Sequence, residues 1–322
     1  MNKPIPIILA PMQGYADFVM RQILTEIGGF DEVVSEFVRI THTVHSRRAW
    51  LKKVPELNNQ AQTQSGVPCV VQLLGSDAEK MAENALAAVN AGAKKIDVNF
   101  GCPAPIVNRH YGGAALLAEP EKIYRIIQTM RFRLPENISL TAKMRLGIND
   151  TQHTVACAEA IATGGATSLT VHARTKEEQY RPPAHWEWFA IIQEKINIPL
   201  IANGDIFSVA DFQRLCTQCS PDGIMLGRGV LKNPYLALQI KAAIHQQSQK
   251  EIHTNDILII LQRFYQACLM QNKQDKYAAA RLKQWLSLLQ ESYEDLQALF
   301  VQIKKQQLSD DIQQSFNTFQ AA

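Results

Sequence analysis

Short apolar runs rich in β-branched residues recur over the first two thirds of the chain, and helical patterns separate them. The runs are apolar on both faces, which is typical of parallel strands buried between layers. We predict eight strands, at Ile5–Ala10, Val33–Phe37, Cys69–Leu74, Lys95–Phe100, Ser139–Arg145, Ser168–His172, Ile198–Ala202 and Gly223–Leu226. Eight β/α units in roughly 230 residues favour a closed (β/α)8 barrel of the α/β class over an open doubly wound sheet.

The segments between these runs carry the i, i+3, i+4 apolar spacing of amphipathic helices. The clearest is Asp77–Ala91, where Asp77 is a candidate N-cap and Gly92 a C-terminal stop. The same spacing predicts helices at Glu119–Phe132, Gln152–Thr163 and Ser208–Cys216.

The pattern changes after Asn233-Pro234, because no strand-like run and no glycine follow. Apolar spacing there predicts helices at Asp256–Met270, Tyr277–Leu289 and Glu291–Lys304. We therefore predict two domains, a barrel over residues 1–240 and an all-helical domain over residues 241–322.

The composition is that of an ordinary globular protein, with 46% hydrophobic residues and a net charge of +3. That charge is too small to indicate a nucleic-acid partner by itself. One stretch stands out: Phe37–Pro55 contains no acid, and its cations are Arg39, Arg47, Arg48, Lys52 and Lys53. A solvated loop and a phosphate-contacting patch both fit this stretch.

The six cysteines are scattered, and the start Met1-Asn2-Lys3-Pro4 does not resemble a signal peptide. We expect a reducing, cytoplasmic environment. Cys216 and Cys219 form a lone CxxC without a second pair, so we expect no metal. Cys69 and Cys157 lie within predicted elements and are interpreted as core residues. Apolar stretches stay shorter than the ~18 residues that span a bilayer, so we expect no membrane association.

Candidate chemistry gathers at the carboxyl ends of the predicted strands, where barrels carry their reactive residues. Seven of the eight strands carry polar or special residues at this end. In chain order these are Ala10-Pro11-Met12-Gln13-Gly14, Gln72, Asn99-Phe100-Gly101-Cys102-Pro103, Lys143 with Arg145, His172, Asn203-Gly204-Asp205 and Gly227-Arg228-Gly229. Such a concentration predicts one ligand site at this end of the barrel.

A phosphate site is predicted after the last two strands. Gly204, Gly227 and Gly229 allow backbone N–H groups to approach a ligand, and Arg228 can add a bidentate contact. The alternative is that these glycines serve only tight turns.

Two side chains carry reactivity. A lysine inside an apolar strand, as Lys143 is, must direct its amine at an anion or a polar group, and the negatively charged edge of a reduced flavin fits. A structural ion pair is the alternative. Cys102 stands between a glycine and a proline just past a strand end, which suits a general acid or a nucleophile. A small buried hydrophobic residue is its alternative.

Together these motifs resemble the tRNA-dihydrouridine synthase family over nearly the whole chain. The most diagnostic piece is Asn99-Phe100-Gly101-Cys102-Pro103, and further matching pieces are Ala10-Pro11-Met12-Gln13-Gly14, Gly112-Gly113-Ala114, Lys143-Met144-Arg145, His172-Ala173-Arg174-Thr175 and Asn203-Gly204-Asp205. Glu36-Phe37-Val38-Arg39 and Arg281-Leu282-Lys283-Gln284-Trp285 are similar to the bacterial class C branch, which reduces the uridine at tRNA position 16. Two departures are Gln13, where relatives often have Glu, and His110-Tyr111 before the glycine pair, which would affect the loop beside Cys102.

The resemblance implies that NADPH reduces FMN, that hydride passes from FMN to C6 of uracil, and that Cys102 protonates C5. The target uridine would be extruded from the folded tRNA. By resemblance, the FMN ligands are Pro11, Met12, Gln13, Gln72, Lys143, His172, Asn203, Gly204, Asp205, Gly227 and Arg228. Asn99 and Tyr180 would contact the uracil, and Arg39, Arg281, Lys283 and Lys304 would orient the tRNA. We expect a monomer.

Two other functions remain open. A flavin barrel acting on a free pyrimidine, similar to a dihydroorotate dehydrogenase, shares the scaffold and phosphate site but leaves the helical domain and the basic stretch unexplained. An RNA-binding or chaperone protein without chemistry leaves Cys102 and Lys143 unexplained.

Overall fold

The structure is a computed structural model that describes residues 5–108, 112–248, 251–272 and 274–321. The start Met1-Asn2-Lys3-Pro4 and the pair His110-Tyr111 lie outside the described residues. The chain forms two compact units. The first comprises the chain up to Phe18, Phe30–Ile206 and Ala210–Gly227, and the second comprises Val19–Gly29, Phe207–Val209 and the chain from Arg228 onward.

The first unit contains a closed barrel of parallel strands, which confirms the predicted (β/α)8 fold. The strands are β1 Ile7–Leu9, β2 Glu32–Val34, β3 Val38–Arg39, β4 Cys69–Leu74, β5 Lys95–Phe100, β6 Ser139–Gly147, β7 Ser168–Thr175, β8 Leu200–Asn203 and β9 Gly223–Leu226. β1 pairs with β9 on one side and with β2 on the other, and β2 pairs with β4, so eight strands close the ring.

The second predicted strand is interrupted in the structure. β2 and β3 both pair with β4, and Ser35 lies between them. Its N–H donates to the carbonyl of Val70 and its hydroxyl accepts from the N–H of Gln72 at 3.1 Å. The β6–β7 ladder runs past the predicted ends as far as Gly147 and Thr175, with an irregularity after Arg145.

Helices of eight residues or more are α1 Phe18–Ile27, α3 Ala78–Asn90, α5 Pro120–Arg133, α6 Thr154–Thr163, α8 Val209–Gln218, α10 Leu236–Ile244, α11 Thr254–Asn272, α12 Asp275–Leu289, α13 Leu296–Ile303 and α14 Ser309–Ala321. Shorter ones are α2 Arg47–Lys53, α4 Pro105–Asn108, α7 Glu187–Gln193, α9 Arg228–Lys232 and the 3-10 helices Pro55–Asn59 and Gly113–Ala118.

Local capping explains where the clearest predicted helix begins and ends. Asp77 accepts a hydrogen bond from Lys80 N at 2.9 Å, and Gly92 adopts a φ of 120° beyond the last turn. Part of the basic stretch, for which a solvated loop and a phosphate-contacting patch were both open, is helical: Arg47–Lys53 forms α2 with Ser46 as its N-cap.

The second unit is helical, as the sequence predicts, and no strand follows Leu226 among the described residues. Its core includes Phe264 and Trp285, whose rings meet edge to face at 4.8 Å, and Trp285 Nε1 donates to Leu231 O at 3.0 Å. The predicted helix at Glu291–Lys304 begins only at Leu296. In the described part of the chain no helix is long and apolar enough to cross a membrane.

Candidate active site

The inside of the barrel is divided into an apolar part and a polar part. The apolar cluster joins five strands and consists of Ile8, Ala10, Val34, Val70, Ile201 and Met225. Val70 and Gln72 lie on the same face of β4, since alternate strand residues share a face. Side chains bonded to Gln72 therefore line the inside as well. The prediction that every strand is apolar on both faces is wrong for β4, β5, β6 and β7, which carry buried polar side chains such as Gln72, Asp97, Thr141 and His172.

A directed chain of hydrogen bonds crosses the polar part. Asp97 is buried and accepts from Thr141 Oγ1 at 2.6 Å and from Gln72 Nε2 at 2.7 Å. Because the Gln72 Nε2 donates to Asp97, the Gln72 Oε1 faces Asn99. Asn99 Nδ2 donates to this oxygen at 2.9 Å. Burial raises the pKa of the Asp97 carboxyl, and the bonds from Thr141 and Gln72 oppose that shift. Asp97 thereby sets the orientation of both amides.

The chain ends on the turn that carries Cys102. Asn99 Oδ1 accepts hydrogen bonds from Gly101 N and Cys102 N, both at 2.9 Å. The Cys102 carbonyl accepts from Ala114 N at 3.1 Å. Cys102 is 9% exposed, and burial raises the pKa of its thiol, opposed by a backbone hydrogen bond at Ala104 and by the charge of Arg145. The thiol is therefore held in its protonated form at neutral pH.

Gly113 supports this turn and tolerates no side chain. Its φ is 60°, and a Cβ there would lie 2.8 Å from the Cys102 carbonyl oxygen. We expect Gly113→Ala to destabilise the protein by about 1–3 kcal/mol and to speed alkylation of Cys102, because the turn must move. Thermal unfolding and alkylation rate measure the two effects.

Gly66→Ala is the matched control, since Gly66 has a φ of 80° and a Cβ there meets nothing within 4 Å. It carries the same backbone penalty without the clash. Equal alkylation rates in the two variants would show that Gly113 does not hold the turn.

Arg145 connects the Cys102 turn to the loop after β7. Its Nε donates to Gly101 O at 3.0 Å, and its Nη1 donates to Thr175 O and Gln179 O, both at 2.8 Å. The guanidinium lies 5.3 Å from the centre of the Tyr180 ring, which is half exposed. Arg145 therefore brings Tyr180 into the neighbourhood of Cys102.

Lys143 lies between the polar part and the end of β8. Its Nζ donates to Asn203 Oδ1 at 2.8 Å, and Asn203 Nδ2 donates to Met225 O at 2.8 Å. Within the described residues Lys143 forms no ion pair, because its partner is an amide oxygen. Burial lowers the pKa of Lys143 to about 7, repulsion from Arg145 adds to that shift, and the charge of Asp97 opposes it.

The turn after β8 is built around glycine and a second arginine. Gly204 has a φ of 129°, and a Cβ there would lie 3.0 Å from Ala184 Cβ and 3.3 Å from His172 Cδ2. Asp205 accepts from the N–H of Ala184 at 2.7 Å and from the guanidinium of Arg174, which also lies 3.2 Å from His172 Nε2. The turn itself therefore requires glycine at position 204.

Gly227 differs from Gly204, because the fold itself does not require a glycine there. Its φ lies outside the left-handed region, and the nearest atom to a Cβ would be Met12 Sδ at 3.8 Å. Met12 is partly buried against the apolar cluster, its carbonyl accepts from Ala16 N at 2.8 Å, and Gln13 beside it is exposed. Pro11 is half-buried.

The remaining predicted residues are spread over the chain. Arg39 is half-buried in β3 of the first unit. In the second unit, Arg228 begins α9 with its guanidinium 5.5 Å from the Phe207 ring. Arg281, at 7% exposure, packs on Phe264 and donates to Gln284.

Lys283 donates to the Gln306 carbonyl, and Lys304 is exposed at the end of α13. The structure thus brings together Gln72, Asn99, Cys102, Lys143, His172, Tyr180, Asn203, Gly204 and Asp205 in the first unit.

The sequence analysis placed Arg145 beside Lys143 at a strand end without a role of its own, quoted Arg174 only within a family motif, and did not single out Asp97. The signal that identifies them is period-two polarity: alternate positions of β5, β6 and β7 are polar although the strands are buried. These positions are Asp97, Asn99, Thr141, Lys143, Arg145, Thr170, His172 and Arg174.

Comparison with known proteins places this site in a family. The model of the dihydrouridine synthase family matches residues 8–321. The chain belongs to the dihydrouridine synthase family. A tRNA-dihydrouridine(16) synthase of Neisseria meningitidis serogroup A is 53% identical over 314 residues, covering 98% of this chain and 94% of that protein. Proteins of the same name from Ralstonia nicotianae and Pseudomonas putida are 50% and 43% identical, over 75% and 93% of this chain and 74% and 93% of theirs.

Solved structures share the fold of this dihydrouridine synthase family member at low identity. Histamine dehydrogenase from Rhizobium sp. 4-9 gives a TM-score of 0.56 at 15% identity, over 81% of this chain and 48% of that one. A 2-naphthoyl-CoA reductase gives 0.55 at 11%, over 75% of this chain and 50% of that one. The chain spans about half the length of these structures, and the likeness concerns the barrel fold alone.

Proposed function

We propose that this protein reduces the C5=C6 bond of a uridine in the D loop of tRNA to 5,6-dihydrouridine, with FMN as cofactor and NADPH as reductant. The observation that carries the proposal is a buried, protonated thiol, Cys102, whose turn Asn99 fixes at the polar end of the barrel. A relative named tRNA-dihydrouridine(16) synthase, 53% identical over 98% of the chain, supports uridine 16 as the proposed target.

The polar part of the barrel interior, at the carboxyl ends of the strands, fits a flavin with an anionic tail. The fold does not require glycine at position 227, and the absence of a side chain there leaves space. That space suits the close approach of a phosphate to the backbone. Among the described residues the hydrogen-bond partner of the Lys143 amine is a neutral amide, so an anionic ligand edge would complete its pairing. The other proposed FMN ligands are Pro11, Met12, Gln13, Gln72, His172, Asn203, Gly204, Asp205 and Arg228.

Bound FMN supplies transfer of hydride from NADPH to C6 of the uracil ring. Cys102 supplies the proton at C5, since a thiol with a raised pKa remains protonated at neutral pH. Asn99 holds the turn through its oxygen and one N–H, and its second N–H can meet the uracil. The half-exposed ring of Tyr180 offers the base a stacking surface.

The residues proposed to serve tRNA binding, by direct contact or by support, are Arg39, Arg281, Lys283 and Lys304. Residues 241–322 are proposed as the tRNA-binding domain and residues 1–240 as the catalytic one. Lys304 is exposed and ready for a phosphate, whereas Arg281 packs on Phe264 and supports the helix that carries Lys283. We propose that the enzyme acts as a monomer in the cytoplasm.

Mapping dihydrouridine in tRNA from a strain that lacks the gene tests the proposal. We expect dihydrouridine to disappear from position 16 alone and to return when the gene is restored. A complement carrying Cys102→Ala is the matched control, and it should not restore the modification. Unchanged dihydrouridine at every tRNA position would refute the proposed function, and dihydrouridine lost from another position would refute the choice of uridine 16.

A further inference from the structure

The helix α2 presents a cationic surface that the active site does not use. Residues 37–55 carry five formal positive charges and no negative one, more than the net +3 of the whole chain. Four of these cations lie on α2, Arg47–Lys53, and all four are exposed: Arg47, Arg48, Lys52 and Lys53.

One face of α2 is anchored and the opposite face is charged. Trp50 is fully buried, and at 100° per residue Arg48 and Lys52 each lie about 160° around the helix from it. They are one turn apart and therefore neighbours on the outer face. Within the part of the chain that the structure describes, no ion pair engages Arg48 or Lys52.

The approach to α2 is fixed by hydrogen bonds. His45 N donates to Asn84 Oδ1 at 2.9 Å, and Asn84 Nδ2 donates to Thr43 O at 3.0 Å, which ties the segment before α2 to α3. Ser46 caps the helix by accepting from Ala49 N at 3.3 Å. The charges are thus held on a preorganised support.

The charges of the first turn oppose the stability of the helix, whereas Lys52 and Lys53 in its last turn suit the negative end of the dipole. Arg47 and Arg48 lie at the positive end of the helix dipole, and no acid occupies the first turn. Arg48 and Lys52 form a like-charge i, i+4 pair, which also destabilises. Residues that destabilise their own helix without a compensating contact in the fold point to a role in binding.

We propose that the outer face of α2, formed by Arg48 and Lys52, binds the phosphate backbone of the tRNA substrate. This inference rests on the proposed function for the identity of the RNA. The segment that leads to α2 follows directly from β3, at the carboxyl end of the barrel where Cys102 lies. Contacts to phosphates do not depend on the nucleotide sequence. We therefore expect α2 to increase the affinity for tRNA and to help orient it, without selecting which uridine is reduced.

Binding of an unmodified tRNA transcript to the full-length, FMN-loaded protein tests the proposal. For Arg48→Gln/Lys52→Gln we expect the log–log salt slope to fall by about 2, one unit for each phosphate that the protein no longer neutralises. Between about 200 and 50 mM salt, wild-type affinity should then rise roughly tenfold more than that of the variant. Glutamine has nearly the helix propensity of arginine and lysine, so α2 is expected to remain folded.

Two further variants separate direct phosphate binding from a general effect of charge. Lys94→Gln/Lys195→Gln removes the same charge from exposed positions just before β5 and β8, at the amino end of the barrel, and should keep the wild-type slope. The exchange Arg48→Lys/Lys52→Arg should also keep it. A wild-type slope in Arg48→Gln/Lys52→Gln, or an equal decrease in the control, would overturn the proposal.

The wild-type protein is assayed in parallel for dihydrouridine formation. If the wild type forms dihydrouridine but its log–log salt slope equals that of Arg48→Gln/Lys52→Gln, then tRNA binding by α2 is refuted and the proposed function is not. A slope difference without dihydrouridine would support RNA binding by α2 and refute the proposed reaction.

Discussion

Cys102→Ala is expected to lower the rate of uridine reduction by about 10²–10⁴-fold, the usual contribution of a general acid. Reduction of the flavin by NADPH should proceed at the wild-type rate, because that step needs no proton from the protein side chain. The readouts are dihydrouridine formed per unit time and flavin absorbance under anaerobic NADPH. The variant should also retain its fold, since Cys102 lies on a turn whose hydrogen bonds come from its backbone.

Cys157→Ala is the matched control for this experiment. Cys157 is likewise buried, in α6, and its thiol donates to Leu117 O, while burial raises its pKa to about 12. Removing that sulfur should cost some stability and leave both half-reactions intact. Dihydrouridine formation by Cys102→Ala at a rate near that of the wild type would assign the proton donor to another group.

Lys143→Met is expected to weaken FMN binding by about 10- to 100-fold, the effect of removing one charge-assisted hydrogen bond. The effect should depend on pH. The pKa of Lys143 is about 7 without a ligand, so the amine is charged below pH 7 and becomes neutral as the pH rises through 7. An anionic ligand favours the charged form and raises this pKa, so binding takes up a proton just above pH 7. FMN affinity of the wild type should therefore fall as the pH rises from about 7 to 9.

In Lys143→Met that fall should be absent. Titrations of flavin-free protein with FMN over this range measure both the affinity and its pH dependence. Lys95→Met is the control, because Lys95 is a strand lysine of the same barrel whose Nζ pairs with Glu32 at 2.8 Å at the opposite strand end. Its FMN affinity should match the wild type, and a pH dependence that persists in Lys143→Met would show that another group titrates.

Part of the candidate site could be predicted from the sequence, because its residues lie at the carboxyl ends of strands that the apolar runs identify. Asn99, Cys102, Lys143, His172 and Asn203 are polar or special residues at the carboxyl end of apolar runs, and the structure brings these side chains into one unit. Asp97 and Arg174 were missed because nothing in the residues next to them along the chain indicates a function. Their role depends on which side chains they meet, and that is not a property of the local pattern.

For two basic residues of α12, the local sequence pattern did not reveal how far the side chains are buried. Arg281 was predicted at the tRNA surface on the basis of its motif, yet its side chain is 7% exposed and packs on Phe264. Its neighbour Lys283 is half-buried and donates to Gln306. Helix spacing in α12 does not say how deeply a long cationic side chain lies between α11 and α12, because its aliphatic stem can be buried with apolar neighbours.

The sequence by itself determined the order of the strand-forming segments, the change to an all-helical last third, the Asp77 cap and the turn at Cys102. Each follows from periodicity or from punctuating residues within a few positions of one another. Only the tertiary structure decided that Lys143 meets Asn203, 60 residues away, and that Arg145 joins Gly101 to Gln179. It also separated Gly204, which the fold requires, from Gly227, which it does not. Burial and partners set these properties, and both arise only when distant strands close into a barrel.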